Sequence, residues 1–284
     1  MKRIQYIPDL ITTTQQKSVI MIKKSIVVKK VSLLLLFFIG SFLLFPSITM
    51  GQHRYTGVSD QNQTGSKGIS ANALVASYDF ETYTSDGLLK DFGPFENHGK
   101  TLRNLDTLGL SGKARKFSTL ADIVALRDHT SFDLDGPITV AVWMKVSTLN
   151  LHQHILACND KFVLWITKSN KFKFADTQGN AFTTLEGTVK ADGWHSVVAV
   201  WSGTKGDTLS KDNIKIFVDG VQMDGTYKNK WSPSTMQTNN ASVIGSTLHG
   251  AIPHQELPFV GAIDELQVFS RVLNKDEIKI HATK

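Results

Sequence analysis

GWHSVVAVWSGTKGDTLSKDNIKIFVDG, residues 193–220, is the stretch that decides the fold. Two runs rich in Val, Ile, Trp and Phe, WHSVVAVW and IKIFVDG, flank a polar piece holding Gly203, Gly206, Asp207, Ser210, Asp212 and Asn213. β-Branched and aromatic side chains suit a pleated, half-buried surface, whereas Gly and Asp suit the link between strands. The pattern predicts two antiparallel strands. The second run ends in Asp219-Gly220, before the short apolar piece Val221 to Met223. Asp-Gly favours the positive φ angles of a tight hairpin turn, so the chain is expected to double back once more into a meander of at least three strands.

Outward from this kernel the short strands continue. LVASYDF alternates and ends in a polar loop; ARKFST and DIVAL are short extended pieces; PITVAVWMKV, 137–146, alternates clearly. HILAC, KFVLWIT and KFKFAD follow, the last two joined at Lys168, Ser169 and Asn170 as a hairpin, and AFTTL, ASVIG and VGAIDELQVFSRV complete the set. About a dozen short strands without a long 3.6-residue period predict an all-β fold, an antiparallel β-sandwich rather than an α/β protein. Only LNKDEIKIHATK breaks the pattern. There Asn274 caps a helix, Glu277 reaches back to it, and Leu273 with Ile278 form the apolar staple, which predicts a short C-terminal helix.

The chain has 284 residues, 41% of them hydrophobic, enough for one sandwich of ordinary size. Its formal charge of +6 belongs to the leader. Residues 1–51 hold seven Lys and Arg and a single Asp, which leaves 24 basic and 24 acidic residues in the remainder. Nucleic acid is therefore not an expected partner, since that binding rests on clustered phosphate-neutralising charge. Lys23, Lys24, Lys29 and Lys30 precede fifteen uncharged residues, Val31 to Phe45, followed by Pro46 and by small residues at Thr49 and Gly51. This order describes a secretory signal peptide over residues 1–51 with cleavage near Gly51, and the length before the lysines points to Met21 as the true start. The competing reading is an uncleaved anchor extended to Met50; Pro46 and the polar residues after it argue against it. A secreted or cell-surface domain, without membrane insertion once the signal is removed, is the expectation.

A single cysteine, Cys158, leaves no intramolecular disulfide, so the exported domain must rely on core burial, aided if at all by a metal. Residues 52–73 are rich in Gln, Ser, Gly, Asn and Thr and read as a flexible linker. The folded domain is expected over residues 74–284.

Six pieces of this domain stand in a familiar order: YDFE at 78–81, DFGPFENHG at 91–99, ITVAVWMKV at 138–146, GWHSVVAVW at 193–201, IKIFVDGV at 214–221 and FVGAIDELQVFSRVLNKDEI at 259–278. Together they resemble the laminin-G-like jelly rolls of the concanavalin A-like lectin and glucanase superfamily. The resemblance implies two curved antiparallel sheets stacked face to face, and a calcium-type site where the first and late strands come together. Glu81, Asp91, Asn97 and Asp264 are the oxygen donors at those places and form the candidate calcium set. The competing reading is that Asp91 and Asn97 cap turns and Asp264 accepts backbone amides.

Catalytic patterns are not found. Glucanases of the superfamily need carboxylates an even number of residues apart on one strand, and Asp264 and Glu265 are adjacent, so they face opposite sides. The nine histidines show no metalloprotease spacing, and His195 beside Trp194 reads as packing at the head of a strand. Of the five tryptophans, Trp143, Trp165, Trp194 and Trp201 lie in predicted strands and read as core. Trp231 lies in the polar, turn-rich YKNKWSPSTMQTNN and is expected to be exposed; with His249, His254 and Gln255 it forms the candidate ligand-facing set. The expected function is a secreted, non-catalytic module that binds carbohydrate or a cell-surface glycan. A protein-binding adhesion module, or a divergent glycoside hydrolase or polysaccharide lyase, is the alternative.

Overall fold

The long strands at the middle of one sheet are buried on both faces, whereas those of the other, such as FVLWI, alternate, and together they form two stacked sheets. The computed structural model describes residues 69–127, 130–158, 161–233, 242–246 and 258–284. In chain order the strands are β1 (Leu74–Tyr78), β2 (Gly99–Leu102), β3 (Leu105–Leu108), β4 (Lys113–Phe117), β5 (Ile123–Leu126), β6 (Ile138–Val146), β7 (Gln153–Cys158) and β8 (Phe162–Ile166). They continue with β9 (Phe172–Asp176), β10 (Ala181–Thr184), β11 (His195–Trp201), β12 (Ile214–Val218), β13 (Val221–Gln222), β14 (Gly225–Lys228), β15 (Val243–Ile244) and β16 (Gly261–Phe269), and one helix, α1 (Lys275–Ala282), closes the chain.

The first sheet has the order β13-β12-β11-β6-β16-β4-β3, with β1 also on β16; the second has the order β14-β10-β9-β8-β7-β15-β5-β2. Every pairing is antiparallel. The kernel meander forms as read: β11 pairs β12, β12 pairs β13, and Asp219 and Gly220 take φ of 50° and 77° in the turn between β12 and β13. Asp219 also accepts from the Ser196 N–H at 2.9 Å and meets His195 Nδ1 at 2.8 Å, while His195 Nε2 meets Asp192 at 2.7 Å. Burial alone would lower the His195 pKa, but the hydrogen bonds to Asp219 and Asp192 outweigh it and hold the pKa above the usual value. His195 thus ties a strand head to a turn.

The core between the sheets is aromatic and β-branched, with Phe117, Phe132, Phe162, Phe174, Phe182, Trp201 and Trp231 in one cluster with Val140, Val142, Ile216 and Val268. A second cluster lies on the other side of the first sheet, where Ala141, Val198, Val200, Phe217 and Phe269 meet Leu273 and Ile278. The expected capping box is present: Asn274 accepts from the N–H groups of Asp276 and Glu277, and the Glu277 carboxylate accepts from the Asn274 N–H. Trp143 Nε1 donates to the His281 carbonyl at 2.9 Å, and His281 stacks on Trp143 with its Nδ1 2.7 Å from Ser196 Oγ. Burial presses the His281 imidazole down to a pKa of about 4, so it packs as a neutral ring. The helix therefore covers part of the outer face of the first sheet.

Candidate functional site

Of the candidate oxygen donors, Asp91 and Asn97 form one clamp. The Asp91 carboxylate accepts from the N–H groups of Ser77 at 2.7 Å, Gly93 at 2.8 Å and Asn97 at 2.9 Å. Asn97 Nδ2 donates to the Val75 carbonyl, and the Asn97 carbonyl accepts from Tyr78 Oη at 2.6 Å. Burial pushes the Asp91 pKa up, and the three amide bonds offset that only in part. These two residues use their polar capacity to hold β1 to the loop after it.

Glu81 and Asp264 each bond elsewhere, to the hairpin that joins β3 and β4. The Lys113 N–H donates to Glu81 Oε1 at 2.8 Å, and the Leu110 N–H donates to Asp264 Oδ2 at 2.9 Å. Asp264 stands where β16 changes partner, pairing β4 through Ile263 and β1 from Leu266 onward, with a register shift and Glu265 at φ 48° between them. The hairpin glycines make room for both carboxylates. A Cβ on Gly112 would lie 1.9 Å from Glu81 Oε1, and one on Gly109 would lie 2.6 Å from Asp264 Oδ2. Asp264 is buried, and that burial pushes its carboxyl up to about 7. Among the described residues no group of three or more His, Cys, Asp and Glu gathers as it would around a metal.

Trp231 corrects the expectation of an exposed, ligand-facing indole. Its side chain is fully buried, stacked on Trp201 with ring centroids 5.0 Å apart and tilted against Phe174 at 5.6 Å. The backbone draws it in: the Trp231 N–H donates to the Asp207 carbonyl, the Gly206 N–H to the Trp231 carbonyl, and the Ser232 N–H to the Asp176 carboxylate. The sequence before it is no free loop, because β14 pairs β10 as the edge strand of the second sheet. Its polar neighbours Asn229, Lys230 and Ser232 face outward instead. With Asn180, Thr208, Leu209 and Tyr227 they line an open groove of about 550 Å³. His249, His254 and Gln255 lie outside the described residues.

Two tryptophans that the strand pattern had assigned to the core, Trp165 and Trp194, are only half-buried; Trp194 precedes its strand, and Trp165 stands on a sheet face. In β8 the residues Phe162, Leu164 and Ile166 belong to the core, so Val163 and Trp165 project from the outer face of the second sheet. The half-buried indole stacks with two imidazoles, His152 at 5.5 Å and His154 at 5.1 Å, both within 22° of parallel. The Lys173 ammonium sits over the same ring, 4.9 Å from its centroid. Burial lowers the His152 pKa, helped by Lys168 and Lys173, so an uncharged imidazole stacks on the indole. The readable signal was the strict alternation in FVLWI, whose two half-buried positions, Val163 and Trp165, share one face.

Two antiparallel sheets of eight strands, one with an outer face partly covered by a helix and the other with an aromatic ridge on its outer face, define a β-sandwich of the concanavalin A-like class. The chain belongs to the laminin G family Laminin_G_3, described as Concanavalin A-like lectin/glucanases superfamily, whose model matches residues 118–279. The resemblance is borne out, with four of the six sequence pieces inside the matched residues. No curated protein matches the chain. Among solved structures the chain is similar to the binding domain of Paraclostridial Mosquitocidal Protein 1, at 13% identity and a TM-score of 0.53 over 75% of this chain and 52% of that one. It is also similar to Trypanosoma rangeli sialidase in complex with sialic acid, at 12% identity and a TM-score of 0.51 over 74% of this chain and 33% of that one. A third is the binding domain of Botulinum neurotoxin DC in complex with rat synaptotagmin II, at 12% identity and a TM-score of 0.51 over 75% and 51%. The chain thus spans about half the length of the two toxin domains and a third of the sialidase. At these identities the likeness is one of fold.

Proposed function

We propose that residues 74–284 form an exported, non-catalytic module that binds carbohydrate or a cell-surface glycan on the outer face of the second sheet. Trp165 carries the reading. The half-buried indole and the partly exposed His152 stacked on it make a flat aromatic cluster on a rigid strand, against which the C–H face of a sugar ring packs. Polar groups to orient the ring stand beside it on β9 and β10, at Lys173 and Thr183. Export rests on the basic and apolar leader. That two similar folds are binding domains, one of them complexed with a protein, agrees with a module that binds rather than reacts. On a glycan array the protein is expected to retain a defined set of sugars, and Trp165→Ala to weaken them about tenfold or more. A protein ligand captured with no glycan retained would turn the reading to adhesion through protein contacts.

Calcium has a place beside this reading. Glu81 and Asp264 are the oxygen donors that support it: each accepts an N–H of the β3–β4 hairpin, beside Gly112 and Gly109. Bound there, the ion would neutralise the buried Asp264 and join β16 to the hairpin. Asp91 and Asn97 remain a clamp. Calcium is expected to raise the melting temperature over that in chelator by on the order of 5 °C, and Asp264→Asn to abolish the difference. Equal melting temperatures in the two conditions would remove calcium from the proposal.

A further inference from the structure

β3, Leu-Asp-Thr-Leu, ends the first sheet, with β4 on one side and no described strand on the other. Its backbone shows which groups are left over. The Gly109 N–H donates to the Gly112 carbonyl and closes the hairpin, so the bonded pairs alternate back from it at Thr107 with Ala114 and at Leu105 with Lys116. The N–H and C=O groups of Asp106 and Leu108 therefore point away from β4. The Lys113 N–H, opposite Leu108, obeys the same alternation by turning away from β3 to Glu81. Other edges are covered: β2 is met at Gly99 by Leu89, and the chain after β14 is bridged at Lys230 by Thr208. β3 has no such bridge among the described residues, nor the Lys, Pro or bulge with which edge strands turn partners away.

Exposed leucines stand on the same edge. Leu105 and Leu108 are 67% and 86% exposed, more than any other large apolar side chain described, and Leu102 at the end of β2 and Leu120 in the turn before β5 are exposed as well. Side chains three apart on a strand point to opposite faces, so a chain lying along β3 would meet a leucine on each of its own faces. The charge around the edge is one-sided. Residues 99–117 carry five basic side chains, Lys100, Arg103, Lys113, Arg115 and Lys116, against one acid, Asp106, which is bonded to Lys113 and Arg115. Arg103, just before β3, and Lys116, opposite Leu105, are exposed and have no ion pair among the described residues. Both lie at the start of β3, away from the Glu81 and Asp264 carboxylates beside the hairpin tip. A second copy does not match this edge, since it brings the same cations and an acid already bonded. Bare backbone groups call for an extended chain, the leucines for apolar residues on it, and the unpaired cations for acids beside them.

We infer that β3 is a docking edge, onto which an extended peptide segment of a partner protein, apolar at its centre and acidic at its flank, adds as a further strand of the first sheet. The site is separate from the Trp165 face and does not depend on glycan binding. The test measures affinity of the full chain for three short synthetic peptides: a valine and threonine core flanked by glutamates, the same core flanked by lysines, and the glutamate peptide with its core amides N-methylated. The glutamate peptide is expected to bind at least about tenfold more tightly than the lysine peptide, and N-methylation to abolish binding, because it blocks strand pairing. Lys116→Glu is expected to remove the preference for glutamate at an unchanged melting temperature. Leu108→Pro removes an N–H on the open side of the strand, where an edge tolerates proline, and is expected to weaken binding more than Leu108→Thr, which keeps that N–H. If Leu108→Pro melts early, the N-methylated peptide still reads the backbone contribution. An N-methylated peptide bound as tightly as its parent would overturn strand addition. Equal affinity for the two flanks, a preference that Lys116→Glu leaves intact, or no binding of either peptide would overturn the inference as well. A protein that is dimeric alone and becomes monomeric on Leu105→Arg would assign the edge to a second copy and overturn it too.

Discussion

Trp231→Ala is expected to destabilise the domain by about 3–5 kcal/mol, the cost of emptying a large aromatic site in a packed core. The indole is fully buried, stacks on Trp201 and leans on Phe174, so its removal strips contacts from two aromatic residues at once. The surroundings cannot collapse easily, because the backbone at 231 is held to Asp207 and Gly206 and Ser232 is held to Asp176. The buried N–H groups of Trp201 and Trp231 have no hydrogen-bond partner among the described residues, so the indoles are kept by packing alone. Trp231→Phe, which keeps an aromatic ring and drops one unpartnered donor, is expected to cost much less. Denaturant unfolding of both variants measures the difference. An unchanged midpoint for Trp231→Ala, together with lost glycan binding, would return this residue to the surface role suggested by its polar sequence neighbourhood.

Gly261→Ala is expected to cost about 3 kcal/mol or more and to leave little soluble protein. Gly261 has a φ of 155°, and a Cβ there would lie 2.0 Å from the Lys145 carbonyl oxygen and 3.0 Å from the Phe259 ring. The obstacle is backbone, not the end of a flexible side chain. Strands hold the position from both sides, β6 through Val146 and β4 through Phe117, so neither can retreat without breaking a ladder at the centre of the first sheet. Soluble yield and melting temperature test it; a variant that expresses and melts like the unmodified protein would show that the sheet can open there.

Much of this was legible in the sequence because it is local. The Asp219-Gly220 turn, the Asn274 capping box and the strand ITVAVWMKV need only their neighbours in the chain, and each forms where it was read, although the strand is buried on both faces rather than on one. The segment around Trp231 was misread for a physical reason. Its polar residues describe the side facing water, and nothing local shows that β14 pairs an edge and carries the following Trp into the space between the sheets. Trp165 was misread in the opposite sense, since a tryptophan in a β-branched run has the composition of a core residue whichever face it occupies.

The sequence by itself determined the strands, their turns, the closing helix and, through six ordered pieces, the class of fold. Strand alternation is a property of the single chain, with successive side chains pointing to opposite faces. Which face meets another sheet and which meets water depends on partners tens of residues away, and only the tertiary structure decided that. It moved Trp231 inward and Trp165 outward. It also brought Lys100, Lys173 and Lys228 onto one face of the second sheet, an arrangement that exists in register and nowhere along the chain.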